Sequence, residues 1–222
     1  YVNYKENSDI SYKVYLKKND FFEKEYAEEE KQYIASLINY IDADFMYNIS
    51  IDRDDVDYKY TYSIDANVDV KEKNGTKSLY SFSEILIPET EENSEKKSNI
   101  SILKNVKIDY NHYNSIIEKF LMSYLLTDTN STLTVSMHIK VVGSCEDFPQ
   151  DHNDETVISL VIPLTTKTMA IDMTNDLIET KDNIDTANKI LKQYINKFHL
   201  SLINQKYQGK ATRAIMAAKE NR

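Results

Sequence analysis

The sequence predicts a mainly β fold: an antiparallel β-sandwich with one inserted helix and a C-terminal amphipathic helix. Three observations lead there. Apolar and polar residues alternate with period two over long stretches, as in strands that bury one face. Turn signals or charged runs separate those stretches. The period changes to steps of three and four in only two places.

The strands follow in chain order. In "SYKVYLKKNDFF", residues 11–22, Tyr12, Val14 and Leu16 fall on one side and Lys13, Tyr15 and Lys17 on the other. The first set suits a core, and the outward Lys-Tyr-Lys face is the part left to bind. "FFEKEYAEEEKQYIASLI" fits either a loop or a short helix. "YIDADFMYNISID" aligns Ile41, Ala43, Phe45, Tyr47, Ile49 and Ile51, and "YKYTYSIDANVDV" aligns Tyr58, Tyr60, Tyr62, Ile64, Ala66, Val68 and Val70. Flanking "DRDDVD", these two runs are expected to form a long antiparallel hairpin. Asn74-Gly75 marks the next turn, because both residues tolerate positive φ. "SNISILKNVKIDY" follows with Ile100, Ile102, Val106 and Ile108. "TLTVSMHIKVV" follows with Leu133, Val135, Met137, Ile139 and Val141. In "TVISLVIPLTTKTMAIDM", Pro163 cannot donate to a ladder and so implies an edge or a division of the run.

Two stretches are helical in spacing. In "YNHYNSIIEKFLMSYLL" either Ile116, Phe120 and Tyr124 or Ile117, Leu121 and Leu125 form the stripe, with Asp109 or Asn111 as cap. From about Asp182, Ile184, Ala187, Leu191, Tyr194, Phe198 and Ser201/Leu202 form a narrow stripe, suited to docking on its own domain or to self-association. Long strands with one apolar face need a second layer, so two sheets pack face to face and the middle helix closes one end or edge. The expected division is a sandwich over residues 1–175 and a helix with a basic tail over 176–222. Interior tyrosines such as Tyr60 need hydroxyl partners or a place at the rim.

Composition narrows the function. The chain has 222 residues, 41% of them hydrophobic, enough for a proper core. With 3 glycines it has little material for phosphate-cradling loops. Its net charge of -9 repels nucleic acid. The only basic patch is the tail "GKATRAIMAAKENR", where Lys210, Arg213, Lys219 and Arg222 stand against Glu220. A single cysteine, Cys145, makes no internal disulfide, and Glu146 and Asp147 beside it raise rather than lower a thiol pKa, even with His152 nearby. No stretch approaches the roughly 20 apolar residues of a membrane span. The chain starts at Tyr1 rather than methionine, and a signal or an anchor is expected ahead of it.

Few residues carry chemistry. Asp52, Asp54, Asp55 and Asp57 cluster at a turn and are the only metal candidates, for calcium. They miss the helix-loop-helix calcium pattern, which puts glycine where Asp57 stands and an acid where Ser63 stands. A solvated turn is the simpler reading. His112, His138, His152 and His199 show no ligand spacing, and no nucleophile elbow or phosphate loop occurs. Among 17 tyrosines some could form a sugar- or peptide-binding strip, although alternation sends many to the core.

"DISYKVYLKKNDFFEKEY", "QYIASLINYIDADFMYNISID", "NVKIDYNHYNSIIEKF" and "VISLVIPLTTKTMAIDM" resemble, in this order from about Asp9 to Met173, an uncharacterised family of membrane-anchored bacterial proteins. That family is a domain of unknown function in low-GC Firmicutes and their relatives. The resemblance implies a β-rich extracytoplasmic domain, held by membrane helices outside it, with no catalytic residues assigned. After Met173 the family leads one to expect a membrane helix, and here the amphipathic stretch follows instead. The expectation is a non-enzymatic ectodomain without cofactor. Its partner would be an envelope protein or a glycan, and its contact with membrane would run only through segments outside this sequence. The alternative is a carbohydrate- or calcium-binding sandwich module.

Overall fold

The computed structural model describes residues 4–145 and 148–178. They belong to the first of two units, which divide at Ile178/Glu179. The predicted C-terminal helix, the basic tail, Glu146 and Asp147 lie outside the described residues. The chain runs through β1 (Tyr4–Leu16), β2 (Tyr26–Ala27), β3 (Tyr33–Ile34), a 3-10 turn at Ala35–Leu37, β4 (Ile38–Ile51), β5 (Val56–Glu72), β6 (Ser78–Lys97) and β7 (Asn99–Ile108). After α1 (Tyr110–Ser123) come β8 (Thr129–Cys145), β9 (Phe148–Pro163), β10 (Thr168–Met169) and β11 (Asp172–Ile178). The architecture is mainly β, as the alternation predicts. One antiparallel sheet has the order β2-β1-β4-β7, a second has β11-β9-β8-β5-β6, and β10 with β3 forms a small ribbon.

The sheets bury one face each in a shared core. Phe45, Tyr47, Ile49, Ile102 and Ile108 come from the first sheet, and Ile64, Val68, Leu133, Met137, Ile158 and Leu160 from the second. Along one side of the sandwich Thr156 of β9 donates to Glu6 of β1. Along the other, Lys104 of β7 lies over the Tyr62 ring of β5. Register fixes the two ends. Tyr4 pairs with Ile51, so β1 starts at the end that carries the Asp52–Asp55 turn, and β11 runs towards that end as far as the Ile178–Glu155 pair. The loop after β1, the β5–β6 turn, α1 and the segment after β9 gather at the opposite end.

Five expectations need correction or sharpening. β4 and β5 are not a hairpin: β4 pairs with β1 and β7, β5 with β6 and β8, and Asp52–Asp55 carries the chain from one sheet to the other. Tight hairpin loops lean on residues at positive φ, and none of these four adopts it. The β5–β6 turn does fall at Asn74-Gly75, but over Lys73–Lys77 and without positive φ. The Gly75 N–H closes it on Glu72 O at 2.9 Å, and a Cβ on Gly75 would meet the Glu72 Cβ at 3.0 Å. Pro163 ends β9 just beyond the reach of β11, whose last pair there is Asp172 with Val161, so no ladder bond is lost on that side. The last strand runs to Ile178, three residues past the predicted boundary. The acidic segment after β1, expected as a loop or a short helix, is a loop that also holds β2, β3 and the short 3-10 turn.

α1 closes one end of the sandwich. Asp109 caps it by accepting from the His112 N–H at 3.1 Å, and Asn111 donates to Ile38 O and Asn39 O at the foot of β4. Its buried stripe is Tyr110, Tyr113 and Ile117, so Tyr124 and Leu125 stay outside. Tyr110 is wholly buried, and its hydroxyl donates to Pro163 O and Thr165 O and accepts from the Thr165 N–H. Tyr58, only 2% exposed, packs against Gly143, and its hydroxyl is buried with no hydrogen-bond partner among the described residues. The two phenols should therefore respond in opposite directions to loss of the hydroxyl. Tyr110→Phe is expected to cost about 1 kcal/mol and Tyr58→Phe to be neutral or stabilising by up to about 1 kcal/mol, read from urea midpoints. A Tyr58→Phe loss as large as that of Tyr110→Phe would show that the hydroxyl is satisfied.

Candidate functional site

On the outer face of the four-stranded sheet, side chains from all four strands line up in rows set by strand register. Tyr15 of β1 pairs across with Tyr26 of β2 and Tyr40 of β4. Tyr15 and Tyr40 stack with centroids 4.5 Å apart and planes 12° apart, and Tyr15 and Tyr26 meet tilted at 5.7 Å. Lysines flank the column. Lys107 of β7 sits 3.8 Å from the Tyr40 centroid, and Lys13 and Lys24 lie over Tyr26 at 4.9 and 5.9 Å. In the neighbouring rows the Asn105 amide donates to Asp42 at 2.8 Å and to Asp44 at 2.9 Å. The core gains little from this face, because Tyr15, Tyr26 and Tyr40 are only half-buried. Cation–π contacts at exposed sites are worth about 0.5–1 kcal/mol each, so the column chiefly stiffens the surface and fixes where its ammonium and phenol groups stand.

This geometry bears on sugar binding. A ring that takes a sugar by stacking must offer a free face. Tyr40 has Tyr15 on one face and Lys107 on the other, and Tyr15 lies between two tyrosines, so neither offers one. What the column presents is edges, hydroxyls and cations, beside the Asp42–Asn105–Asp44 network. The outward Lys13 and Tyr15 of the sequence reading belong to it. Lys17 has left the strand and donates to Ser36 O. Tyr40, Lys107 and Asn105 were missed, since the alternation of β4 and β7 shows which way they face but not that they share a row with β1.

A second cluster lies where β6 and β7 leave the sandwich side open. Tyr60 and Tyr62 donate to the two oxygens of Glu92 at 2.7 and 2.9 Å, and Lys104 lies 4.2 Å from the Tyr62 centroid. The Tyr60 and Tyr62 hydroxyls, with the Lys104 charge, hold the Glu92 carboxyl below its usual range. Lys104 points inward from an edge strand, a device that discourages edge-to-edge pairing. The stripe Tyr58, Tyr60 and Tyr62 is thus core and seam rather than a binding platform. Burial pushes the Tyr58 phenol up to about 12, and burial with the Glu92 hydrogen bond does the same for Tyr60. Burial also raises Tyr33, Tyr110 and Tyr113. A raised pKa means stability that is complete below the unfolded value, near 10, and lost as pH climbs through the folded value. The domain is expected to hold to about pH 10 and to unfold towards pH 12. Circular dichroism should fall together with the rise in tyrosinate absorbance. Ionisation of all tyrosines near pH 10 without unfolding would refute the burial argument.

The remaining candidates are dispersed. Arg53 binds Asp55 through two nitrogens, at 2.8 and 2.5 Å, and this pairing lowers the Asp55 pKa. Asp57 accepts from the Lys96 N–H at 2.9 Å, where Lys96 takes positive φ at the crossing into β7. Asp52 and Asp54 lie in the same turn, and among the described residues no three His, Cys, Asp or Glu side chains gather as a metal ion needs. His138 pairs with Asp65 at 2.8 Å on the outer face of the second sheet, and His112 approaches Glu84, which also accepts from the Tyr113 hydroxyl. Cys145 is a free, partly buried thiol. No described helix is long and apolar enough to cross a membrane.

The fold and its faces define an antiparallel β-sandwich. No protein-family model matches the chain, and neither does any curated protein. Three solved chains do. One is a crystal structure of a protein from Archaeoglobus fulgidus, 8% identical, covering 64% of this chain and 87% of that one with a TM-score of 0.22.

Proposed function

We propose that the chain is a non-enzymatic interaction domain of a bacterial envelope protein, extracytoplasmic and held to the membrane by segments outside this sequence. Its partner-binding surface is the outer face of the four-stranded sheet. The observation that supports the reading is the column Tyr26–Tyr15–Tyr40 with its lysines, an ordered array built across four strands that the core does not require. Tyrosine supplies contact area at low entropy cost and is enriched in recognition surfaces, and the lysines give this surface its charge. The resemblance to membrane-anchored domains and the near absence of cysteine support the location.

A second reading, a carbohydrate-binding module, is favoured by the hydrogen-bonding trio Asp42, Asn105 and Asp44 beside the column. It would act through hydrogen bonds, since the inner ring faces are taken. Calcium at the Asp52–Asp57 turn would first have to displace Arg53 from Asp55.

The test pairs localisation with binding. Full-length protein should fractionate with the envelope. A partner retained by the wild type should be lost by Tyr40→Ala and Lys107→Glu, at a half-buried and an exposed site whose substitution leaves the core intact. Signal on a glycan array that Asn105→Ala abolishes would select the second reading. A cytosolic protein with no binder on this face would overturn both.

A further inference from the structure

The end of the sandwich opposite the Asp52–Asp55 turn differs from the rest of the surface. Of ten exposed large apolar side chains among the described residues, seven stand at this end: Phe21, Phe22, Tyr124 and Leu125 on loops, Ile34 in β3, Leu79 at the start of β6 and Met122 in the last turn of α1. The local structure presents them. Asn19 accepts from the Phe21 and Phe22 N–H groups at 3.0 and 2.8 Å and donates to Lys17 O, a built turn that leaves Phe21 87% exposed. At the end of α1 the Leu126 N–H returns to Leu121 O, and the residue between helix and return, Leu125, has φ 54°. That position favours glycine. A leucine there strains the backbone and, at 87% exposure, gains no packing in return. The fold explains neither the leucine nor the phenylalanine pair.

We infer that this end is a self-association surface, on which a second copy of the chain docks. Area, charge and geometry support that occupant. The seven side chains together expose on the order of 1,000 Å², taking 150–250 Å² for a large side chain, which meets the roughly 800 Å² per partner of a stable interface. The segments that form the end, residues 17–37, 73–79, 109–128 and 164–171, hold eight basic and nine acidic residues, net -1, in a chain of net -9. Within the described residues the remaining surface is the more acidic, so two copies repel less where these ends meet than over the faces. The two apolar clusters occupy diagonal corners. The Phe21–Phe22 loop leaves β1 at the β2 edge of the first sheet, and the Met122–Leu125 turn lies near the β6 edge of the second, where Phe120 stacks on Tyr80 at 4.6 Å. A two-fold axis through the end sets the phenylalanine loop of each copy against the helix turn of the other, which closes the assembly as a dimer. The inference is independent of the sheet face proposed as the partner site.

Sedimentation velocity on the full chain tests it, from 1 to 200 μM. A dimer should form in this range, and Leu125→Gly and Phe21→Asp should each raise its dissociation constant at least tenfold. Leu125→Gly removes the strain at the same time, so its Tm, read as monomer at low concentration, should rise by about 2–4 °C. That rise separates lost contact from lost folding. A monomer throughout, or a dimer that both variants leave unchanged, overturns the inference. Co-sedimentation of a monomeric wild type with phosphatidylcholine vesicles, lost in Leu125→Gly, would also overturn it, in favour of a lipid surface.

Discussion

The crossing of the chain at Asp52–Asp55 is the constraint on which the rest of the domain depends. β4 and β5 each carry one apolar face, and by crossing between sheets they turn those faces towards each other. Had the same residues made a hairpin, both faces would lie on one sheet and a second layer would have to come from elsewhere. Because they cross, each becomes an inner strand of its own sheet, β4 between β1 and β7 and β5 between β6 and β8. The Arg53–Asp55 clamp and the Asp57 bond to the Lys96 N–H hold the crossing, so the acids of this turn serve the topology.

From that crossing the ends and faces acquire different characters. At one end lie the start of β1 and the crossing itself. At the other, α1 seals the core with Tyr110 and Tyr113 and leaves its last turn in water. The two sides are closed differently as well. Thr156 and Glu6 join the sheets on one, while Lys104, Tyr62 and Glu92 fill the other with a polar cluster in place of strand pairing. A closed apolar seam would bury more surface, but it would leave β6 and β7 as bare edges. An inward lysine trades some burial for protection of those edges. The outer face of the smaller sheet and the apolar end, the two surfaces proposed for contact, both fall where the core makes no demand.

Much of this was legible in the residues. Period-two alternation placed Ile41, Phe45, Tyr47 and Ile49, and likewise Ile64, Val68, Leu133 and Met137, in the core, and every one is buried. It also sent Tyr15 and Lys13 outward. The change of period announced α1, and of its two candidate caps, Asp109 and Asn111, Asp109 takes the position. The hairpin expected at Asp52–Asp57 was wrong for a reason the pattern hides. A strand with one apolar face reads the same whether its neighbour in sequence lies beside it or opposite it.

What the sequence determined by itself is thus the class of fold, the facing of most side chains and the acidic, cysteine-poor surface. These follow from local periodicity and composition, which each residue carries with it. Tertiary structure alone decided which strands are neighbours. It brought Tyr15, Tyr40 and Lys107 into one row, gave Tyr60 and Tyr62 a shared partner in Glu92, and set Phe21–Phe22 and Leu125 at one end. Each of those groupings joins residues far apart in the chain through strand pairing and sheet packing, and no local pattern encodes the choice of partner.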